Sequence, residues 1–509
     1  MKSPKSPKSS SLAILSTLLA ACAGAPPVSH PEVEINLPER WTAEPSDTMT
    51  EGTMTDTVTA EPPSVAENAS WWLAFGDSRL DAVIADALSR NYDLEAASAR
   101  VFSAAALSRI DGADALPQID GGFDGSRSQR NFIGFPIPGT SGDVLTTRAT
   151  TLGLSLDLQW ELDVWGRIRA GHSAAIADVE AARADVHGAR LSLTGLTAKL
   201  WFAVVETRRQ RDLAVETLAN FRSTHNRVVS RYERGLRSSL DVRFSLTNIA
   251  AAEASLANRD EQLDRLTREI EVLAGRYPAA AIEISSALPE LSTPVPAGLP
   301  SELIHRRPDI AAAERRLAAA GARVKQARRA LYPRFSFTTS VGTNSKELTD
   351  LVDRDFSIWT LAGNLAQPFF QGGRLVAGID LARSEEREVA AFYAGTVLNA
   401  FREVEAALAA EDHIEIRERA LREAAVQSVA ARQLAEERYD RGLDDIITVL
   451  EAQRRAFQSE SELLAVQRER LENRVDLHLA LGGDFPDLQP SISELSARTP
   501  ADPEKNINR

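Results

Sequence analysis

The side chains that most often do chemistry in proteins form no catalytic pattern in this sequence. Its seven histidines include no His-Glu-x-x-His pair or other close spacing of metal ligands. The sequence also lacks a Walker A loop and a G-x-G-x-x-G turn, the glycine-rich patterns that bind phosphate groups. We therefore predict that the chain is not an enzyme, and we assign no catalytic residue and no metal site.

One side chain is placed for a covalent modification. Cys22 is the only cysteine, so it cannot form an intramolecular disulfide. Three lysines in the first eight residues precede a short apolar run, Leu12 to Leu19, which is typical of a secretory signal. The sequence Leu19-Ala20-Ala21-Cys22 resembles a bacterial lipobox, in which the cysteine becomes the first mature residue and carries acyl chains. The alternative is an ordinary signal peptide with an incidental cysteine.

The lipobox predicts where the protein is held. Residues 1–21 would be the signal peptide, and Cys22 would carry a diacylglyceryl group and an N-acyl chain, with no other cofactor. Each buried CH₂ contributes ~0.8 kcal/mol, so three chains make a stable anchor. Ala23 replaces the aspartate that commonly retains lipoproteins at the inner membrane. The predicted location is the outer membrane of a Gram-negative bacterium, with the anchor on its periplasmic side and residues 22–69 as an extended tether.

Charge and hydropathy exclude two other classes of protein. The 509 residues carry a formal net charge of −14. Nucleic-acid phosphates attract basic surfaces, so we predict no nucleic-acid partner. No apolar run reaches the ~18 residues that a transmembrane helix needs.

An internal repeat organises the chain after the tether. Tyr232-Glu233-Arg234-Gly235-Leu236 recurs 207 residues later as Tyr439-Asp440-Arg441-Gly442-Leu443, and Gly166-Arg167 recurs at the same distance as Gly373-Arg374. Upstream, Pro117 and Pro333 are 216 residues apart, so the first repeat holds extra residues, which we place between Phe132 and Thr147. We predict a first repeat over 70–277, a linker over 278–299, a second repeat over 300–485 and a disordered tail over 486–509.

Both repeats are predicted to have the same order: a helix, two strands, a very long helix, a turn and a long helix. The strand pattern is clearest from Leu152 to Val164, where apolar residues alternate with polar or small ones. The predicted helices are 78–115, 167–233, 238–275, 300–331, 374–440 and 445–482, and the predicted strands are 118–130, 150–165, 334–344 and 355–371.

The strands and helices together favour a channel. Amphipathic strands suit an outer-membrane β-barrel, and because unpaired strand edges are not tolerated in lipid, four strands require several copies to close. The alternative is the edge of a soluble sandwich. Residues 167–233 contain no proline and would form a rod of ~100 Å. Its alanine-rich and charged faces suit a ring of helices around a channel, with a filled coiled-coil bundle as the alternative.

These residues resemble the outer-membrane efflux protein family, which is TolC-like, and within it the lipidated OprM/NodT group. The resemblance covers residues from about 70 to 485. It is carried by Trp71-Trp72 with Phe75 and Asp77, Trp160-Glu161-Leu162-Asp163-Val164-Trp165-Gly166-Arg167, Arg307-Pro308-Asp309-Ile310, Gln367-Pro368-Phe369-Phe370 with Gly372-Gly373-Arg374, and Arg438-Tyr439 through Gln453.

The resemblance implies an α+β membrane protein. Three copies would form a 12-stranded outer-membrane β-barrel, with four strands per chain, continued by a long periplasmic α-helical barrel. The implied partners are two further copies of the chain, outer-membrane lipid, a periplasmic adaptor protein and an inner-membrane transporter that is expected to be proton-driven.

The resemblance also implies roles for the two turns between long helices. Their tips would dock against the adaptor, with contacts from Arg234, Gly235, Leu236, Arg441, Gly442 and Leu443. The alternative is that the glycines simply end their helices well, because glycine adopts the left-handed conformation that this position needs.

The helix after the second turn carries a candidate gate. Ile447, Glu451 and Arg454 are spaced four and three residues apart, so they can share one helix face, which Asp444 and Asp445 precede. By the resemblance, rings of Ile447 and Glu451 would form an apolar and an acidic gate, and Arg454 would bridge to an acidic group. Family members often have aspartate at position 451, which leaves the ring geometry open. The alternative is a solvated face with an intrahelical ion pair worth ~0.3–0.5 kcal/mol.

The sequence therefore predicts the passive exit duct of a tripartite pump that expels drugs or other small solutes. Three alternatives stay open: a type I protein secretion duct, a lipid-anchored coiled-coil scaffold without a pore, and a periplasmic enzyme.

Overall fold

A computed structural model describes residues 41–42, 70–132, 145–291, 295 and 300–483. Cys22, the signal peptide, most of the tether, residues 133–144 within the predicted insertion of the first repeat, and the C-terminal tail lie outside the described residues. Within these ranges, no helix combines the length and the apolar character needed to cross a membrane.

Eight helices and four strands occupy the described chain, besides three short 3-10 helices at Trp71–Phe75, Leu348–Val352 and Arg354–Phe356. The strands are β1 (Gln118–Phe132), β2 (Leu145–Leu162), β3 (Arg334–Ser345) and β4 (Ser357–Ala366). The helices are α1 (Ser78–Arg90), α2 (Tyr92–Ala113), α3 (Arg167–Glu233), α4 (Ser239–Leu273), α5 (Pro300–Arg306), α6 (Pro308–Arg329), α7 (Arg374–Asp440) and α8 (Ile446–Ala480).

The two repeats match element by element. Helices α3 and α7 both have 67 residues, and α4 and α8 both have 35. Helices α2 and α6 both have 22 residues. The two halves therefore have matching helices, and both very long helices begin and end at the predicted residues.

Two predicted helices are each broken in two. The predicted helix 78–115 is interrupted at Asn91, whose extended backbone ends α1 while its side chain accepts hydrogen bonds from the amides of Asp93 and Leu94 in α2. The predicted helix 300–331 is interrupted at Arg307, because Pro308 disfavours a helical conformation for the residue before it and then starts α6. Strand β4 is also shorter than predicted, ending at Ala366.

The residues divide into two compact units. The first comprises the described parts of Ala97–Asp185 and Ala311–Thr396, and it contains the sheet. Its helices α3 and α6 meet through small side chains, which allow close approach, at Ala174, Ala177, Ala318, Ala319 and Ala322.

The sheet is antiparallel, in the order β1-β2-β3-β4, so β1 and β4 are its edges. Its register aligns apolar residues on neighbouring strands: Ile119 pairs with Leu158, Leu156 pairs with Val341, and Val341 pairs with Trp359. Several of these are well exposed, including Trp359 at 75% and Ile119 at 60%. One face of the sheet therefore offers a continuous apolar surface that the chain itself leaves uncovered.

The second unit comprises the described parts of Ile35–Ala96, Val186–Ile310 and Val397–Arg509. Its largest core cluster surrounds Trp201 and Phe202 of α3, both fully buried. Asp77 caps α1 by accepting from the amide of Arg79 and also accepts from the indole nitrogen of Trp201 at 2.8 Å. A single carboxylate thus fixes the start of α1 against the core.

Candidate functional site

The turns between the long helices both lie in the second unit and have the same backbone geometry. Gly235 and Gly442 adopt φ angles of 72° and 75°, which only glycine takes without strain. The amide of Leu236 donates to the carbonyl of Arg231, and the amide of Leu443 donates to the carbonyl of Arg438, at 2.9 Å in both cases. These are Schellman caps, which satisfy the last carbonyls of α3 and α7.

The residue after each glycine is an exposed leucine. Leu236 is 68% exposed and Leu443 is 63% exposed. In a Schellman cap this position often packs back onto its own helix, whereas here both leucines point outward within the protomer. Among the other residues predicted for docking, Arg234 is exposed, and Arg441 is exposed and pairs with Glu437 at 3.4 Å.

The start of the helix after each turn is also capped. Ser238 and Asp241 form a capping box at α4, and Asp445 accepts from the amide of Thr448 at 2.9 Å at α8. The hydrogen bond from Thr448 holds the pKa of the Asp445 carboxyl below its ordinary value. Each turn is therefore closed on both sides by its own sequence.

The second turn carries an additional ion pair. The guanidinium of Arg438 donates to both carboxylate oxygens of Asp444, at 2.7 Å and 3.3 Å. This hydrogen bonding lowers the pKa of Asp444 and raises that of Arg438. Asp444 therefore serves to brace the turn, and its charge is already compensated within the protomer.

Arginines of the first repeat fasten the second turn to the first. Arg227 donates to the Asp440 carboxylate at 3.1 Å, and Arg231 donates to the Asp440 carbonyl at 2.9 Å. Arg237 donates to the Asp444 carbonyl at 3.0 Å. All three bonds join residues more than 200 positions apart in sequence.

Tyr439 lies at the centre of this connection. Its ring is buried, with the guanidinium carbons of Arg231 and Arg237 at 4.2 Å and 5.1 Å from the ring centroid. Such stacking adds cation–π attraction to the hydrogen bonds. The equivalent residue of the first repeat, Tyr232, is 46% exposed.

Sequence reasoning assigned no role to Arg227, Arg231, Arg237 or Tyr439. Since the tyrosine recurs identically in both repeats, the sequence offered no sign that only the second copy is buried.

Of the predicted gate residues, Ile447, Glu451 and Arg454 lie on α8, spaced four and three residues apart, and Asp444 and Asp445 precede the helix. Ile447 is 57% exposed, whereas its neighbours Ile446 and Val449 are buried in the cluster around Tyr439. Glu451 accepts hydrogen bonds from Arg454 at 2.8 Å and from Arg455 at 2.8 Å.

The hydrogen bond from Arg455, followed by that from Arg454, lowers the pKa of the Glu451 carboxyl below its ordinary value. The structure thus brings Glu451 and Arg454 together within one helix, and it places Ile447 on the uncovered side of α8.

A buried polar contact is made by Gln453, which lies between Glu451 and Arg454 in the sequence of α8. Gln453 is fully buried, and its side-chain nitrogen donates to the hydroxyl of Thr224 at 2.9 Å and to the carboxylate of Glu436 at 2.7 Å. This contact joins α3, α7 and α8 behind the exposed face. Because the Gln453 side chain is polar and fully buried, its hydrogen bonds fix the relative register of the three helices.

The family model for "Outer membrane efflux protein" matches residues 83–276 and 299–483 of the chain. The two matched segments correspond to the two repeats.

Individual proteins show the same similarity. The pyoverdine export outer membrane protein OpmQ of Pseudomonas putida is 31% identical over 428 residues, which is 84% of this chain and 90% of that protein. The toluene efflux pump outer membrane protein TtgF of Pseudomonas putida is 31% identical over 425 residues, 83% of this chain and 87% of that protein. Neither is named as an enzyme.

A solved structure, the outer-membrane channel OprN, superimposes with a TM-score of 0.79 at 27% sequence identity, covering 91% of this chain and 99% of that channel. The predicted fold class, an α+β TolC-like trimeric channel subunit with four antiparallel strands and a long helical part, is confirmed.

Proposed function

The chain belongs to the outer membrane efflux protein family and is an outer-membrane efflux channel, and from this premise we propose that it passively conducts small solutes to the cell exterior. The names of OpmQ and TtgF refer to pyoverdine and toluene, which are both small organic molecules. Small-solute efflux is therefore favoured over protein secretion. As a tripartite pump component, the chain would receive solutes from a periplasmic adaptor and a proton-driven inner-membrane transporter.

The observation that carries this proposal is the open sheet. Its apolar face is exposed, and β1 and β4 have no strand partner within the described chain. In lipid, each unpaired backbone group costs several kcal/mol, on the order of the cost of burying a bare amide. Joining β4 of one copy to β1 of the next removes both edges, and three copies give twelve strands.

The direct test is the mass and conductance of the purified protein. In detergent, native mass spectrometry should give three times the protomer mass, and planar bilayers should show discrete conductance steps. A monomer without conductance would refute the channel. Trimers that never conduct, even when Ile447→Ala and Glu451→Ala are combined, would favour the scaffold.

We propose that the leucines of the two turns contact the adaptor. Leu236 and Leu443 are exposed apolar side chains on rigid Schellman caps, and such residues gain most from burial by a partner. Arg441, beside them, would add a charged contact.

In vivo cross-linking to the adaptor should fall in Leu443→Asp and Arg441→Glu, but not in Arg419→Glu, which alters an exposed arginine elsewhere on α7. Undiminished cross-linking in both turn variants would exclude this surface.

We propose that α8 supplies the periplasmic gate. Ile447 lies on the side of α8 away from the buried cluster, and Glu451 lies one turn further along. In a closed ring of three protomers, this face would bring three apolar and three acidic side chains together. Opening would be a shift between two packings that partner binding favours.

We further propose that Cys22 carries the diacylglyceryl and N-acyl chains that hold the protein at the outer membrane. The proposal rests on the lipobox-like sequence and on the position of the sole cysteine within it.

A further inference from the structure

Trp41 and Thr42 lie against α7, more than 350 residues later in the chain. The Trp41 side chain is only 4% exposed, and its ring centroid is 5.8 Å from that of Phe401. Both the amide and the hydroxyl of Thr42 donate to one carboxylate oxygen of Glu405, each at 2.8 Å. Two adjacent residues of the N-terminal segment therefore contact α7 in two chemically different ways.

The two contacts on α7 are spaced to act together. Phe401 and Glu405 are four residues apart, so they lie one above the other on the same helix face. Burial of the Trp41 ring supplies apolar contact, and the paired bonds from Thr42 to an ionised acceptor fix its direction and register. A slip by one residue would lose both contacts at once.

We propose that Trp41 and Thr42 form a clasp that fastens the N-terminal segment to α7 and shortens the tether of the lipid anchor. The contacts of the clasp do not depend on the proposed acylation of Cys22. Only the role of the clasp in holding a lipid anchor depends on it. From Cys22 to Trp41 the extended chain reaches at most about 65 Å, at ~3.4 Å per residue. From Cys22 to Trp71, the corresponding upper limit is about 165 Å.

The clasp limits how far from α7 the acyl chains of Cys22 can enter the membrane, because the chain between Cys22 and Trp41 reaches at most about 65 Å. A tether that reaches more than 150 Å would leave the position of the acyl chains almost unrestricted. A tether that reaches about 65 Å keeps the acyl chains within a defined distance of the clasp residues. The partner of this α7 surface is thus the protein's own N-terminal segment.

The rate of trypsin cleavage after Arg40 measures how often the clasp opens. Arg40 is the only lysine or arginine between Cys22 and Arg79, so cleavage there removes one defined N-terminal peptide. The bond to be cut joins Arg40 to Trp41, and the protease must draw Trp41 into its own site. In the native protein, cleavage should therefore follow the rare opening of the clasp.

The variants are chosen to separate the clasp from the protease's own preferences. Phe401→Ala leaves the cleaved bond unchanged and removes the partner of Trp41, and we expect cleavage at Arg40 to be faster by about tenfold or more. Glu405→Ala should act in the same direction. Phe392→Ala changes a 70% exposed phenylalanine of the same helix and should cleave as the native protein does.

Equal cleavage rates in the native protein, Phe401→Ala and Glu405→Ala would overturn the proposal, provided that all remain trimeric by native mass spectrometry. The Cys22→Ser protein should show the same protection, because the clasp does not depend on acylation. Protection without bilayer conductance would count against the channel alone, and conductance without protection would count against the clasp alone.

Discussion

Replacing Arg231 by alanine should release the second helix turn from the first. Arg231 donates to the carbonyl of Asp440 and stacks on Tyr439, and its side chain is only 20% exposed. A hydrogen bond from a charged donor contributes ~1.5–3 kcal/mol, and a partly desolvated cation–π contact adds ~0.5–2 kcal/mol. The variant should therefore lose about 2–5 kcal/mol of the interaction that holds α7 and α8 against α3 in each protomer.

The assay is the open fraction of trimers in a planar bilayer. If the turn-to-turn contact holds the channel closed, a loss of about 2 kcal/mol raises the open-to-closed ratio by roughly 30-fold, at 1.4 kcal/mol per factor of ten. Arg231→Lys retains the charge but loses the planar stacking on Tyr439. Its open fraction should lie between those of the native protein and Arg231→Ala. Arg234→Ala, three residues away at an exposed side chain, is the matched control.

An open fraction in Arg231→Ala no greater than that of Arg234→Ala would refute the reasoning. It would mean that the bonds to Asp440 and Tyr439 persist in the conducting state, and that opening occurs elsewhere along α8. Both variants must first show a cooperative thermal unfolding transition and the trimer mass, so that a general loss of folding is not mistaken for opening.

Three further predictions concern other parts of the chain. Ile447→Ala combined with Glu451→Ala should raise single-channel conductance, and an unchanged conductance would remove this face of α8 from the gate. Cys22→Ser should lose the acyl mass increment seen by intact-mass spectrometry, and equal masses apart from the substitution would end the lipoprotein proposal. His478 stacks on Trp71 and its pKa is lowered by burial to about 4, so its contribution to stability is complete above pH 6.5 and is lost as the pH falls towards 4. This amounts to roughly 3 kcal/mol per protomer, which urea unfolding at pH 7.5 and 4.5 should reveal, and which His478→Phe should abolish.

The elements that the sequence predicted well are those that local patterns determine. The recurrence of Arg-Gly-Leu placed the ends of α3 and α7, because a glycine in the left-handed conformation ends a helix whatever surrounds it. The alternation from Leu152 onward located β2, although the strand begins earlier, at Leu145.

The features that escaped prediction depend on distant residues. Trp41 reads as part of a polar tether, whereas in the fold it is buried with its ring beside that of Phe401. Tyr439 and Tyr232 stand in nearly identical sequences, and their different burial follows from which repeat's arginines reach them. The break at Asn91 was missed because its capping bonds compete with an otherwise acceptable helix.

Because α3 and α7 have equal lengths and are joined at their ends, the length of one helix constrains the length of the other. One residue inserted into α7 alone would advance everything beyond it by 1.5 Å and rotate it by ~100°. Asp440 and Tyr439 would then turn away from Arg227 and Arg231. Descendants of this protein can therefore lengthen or shorten their helices only in matched steps, with the same number of residues gained or lost in both halves of the gene.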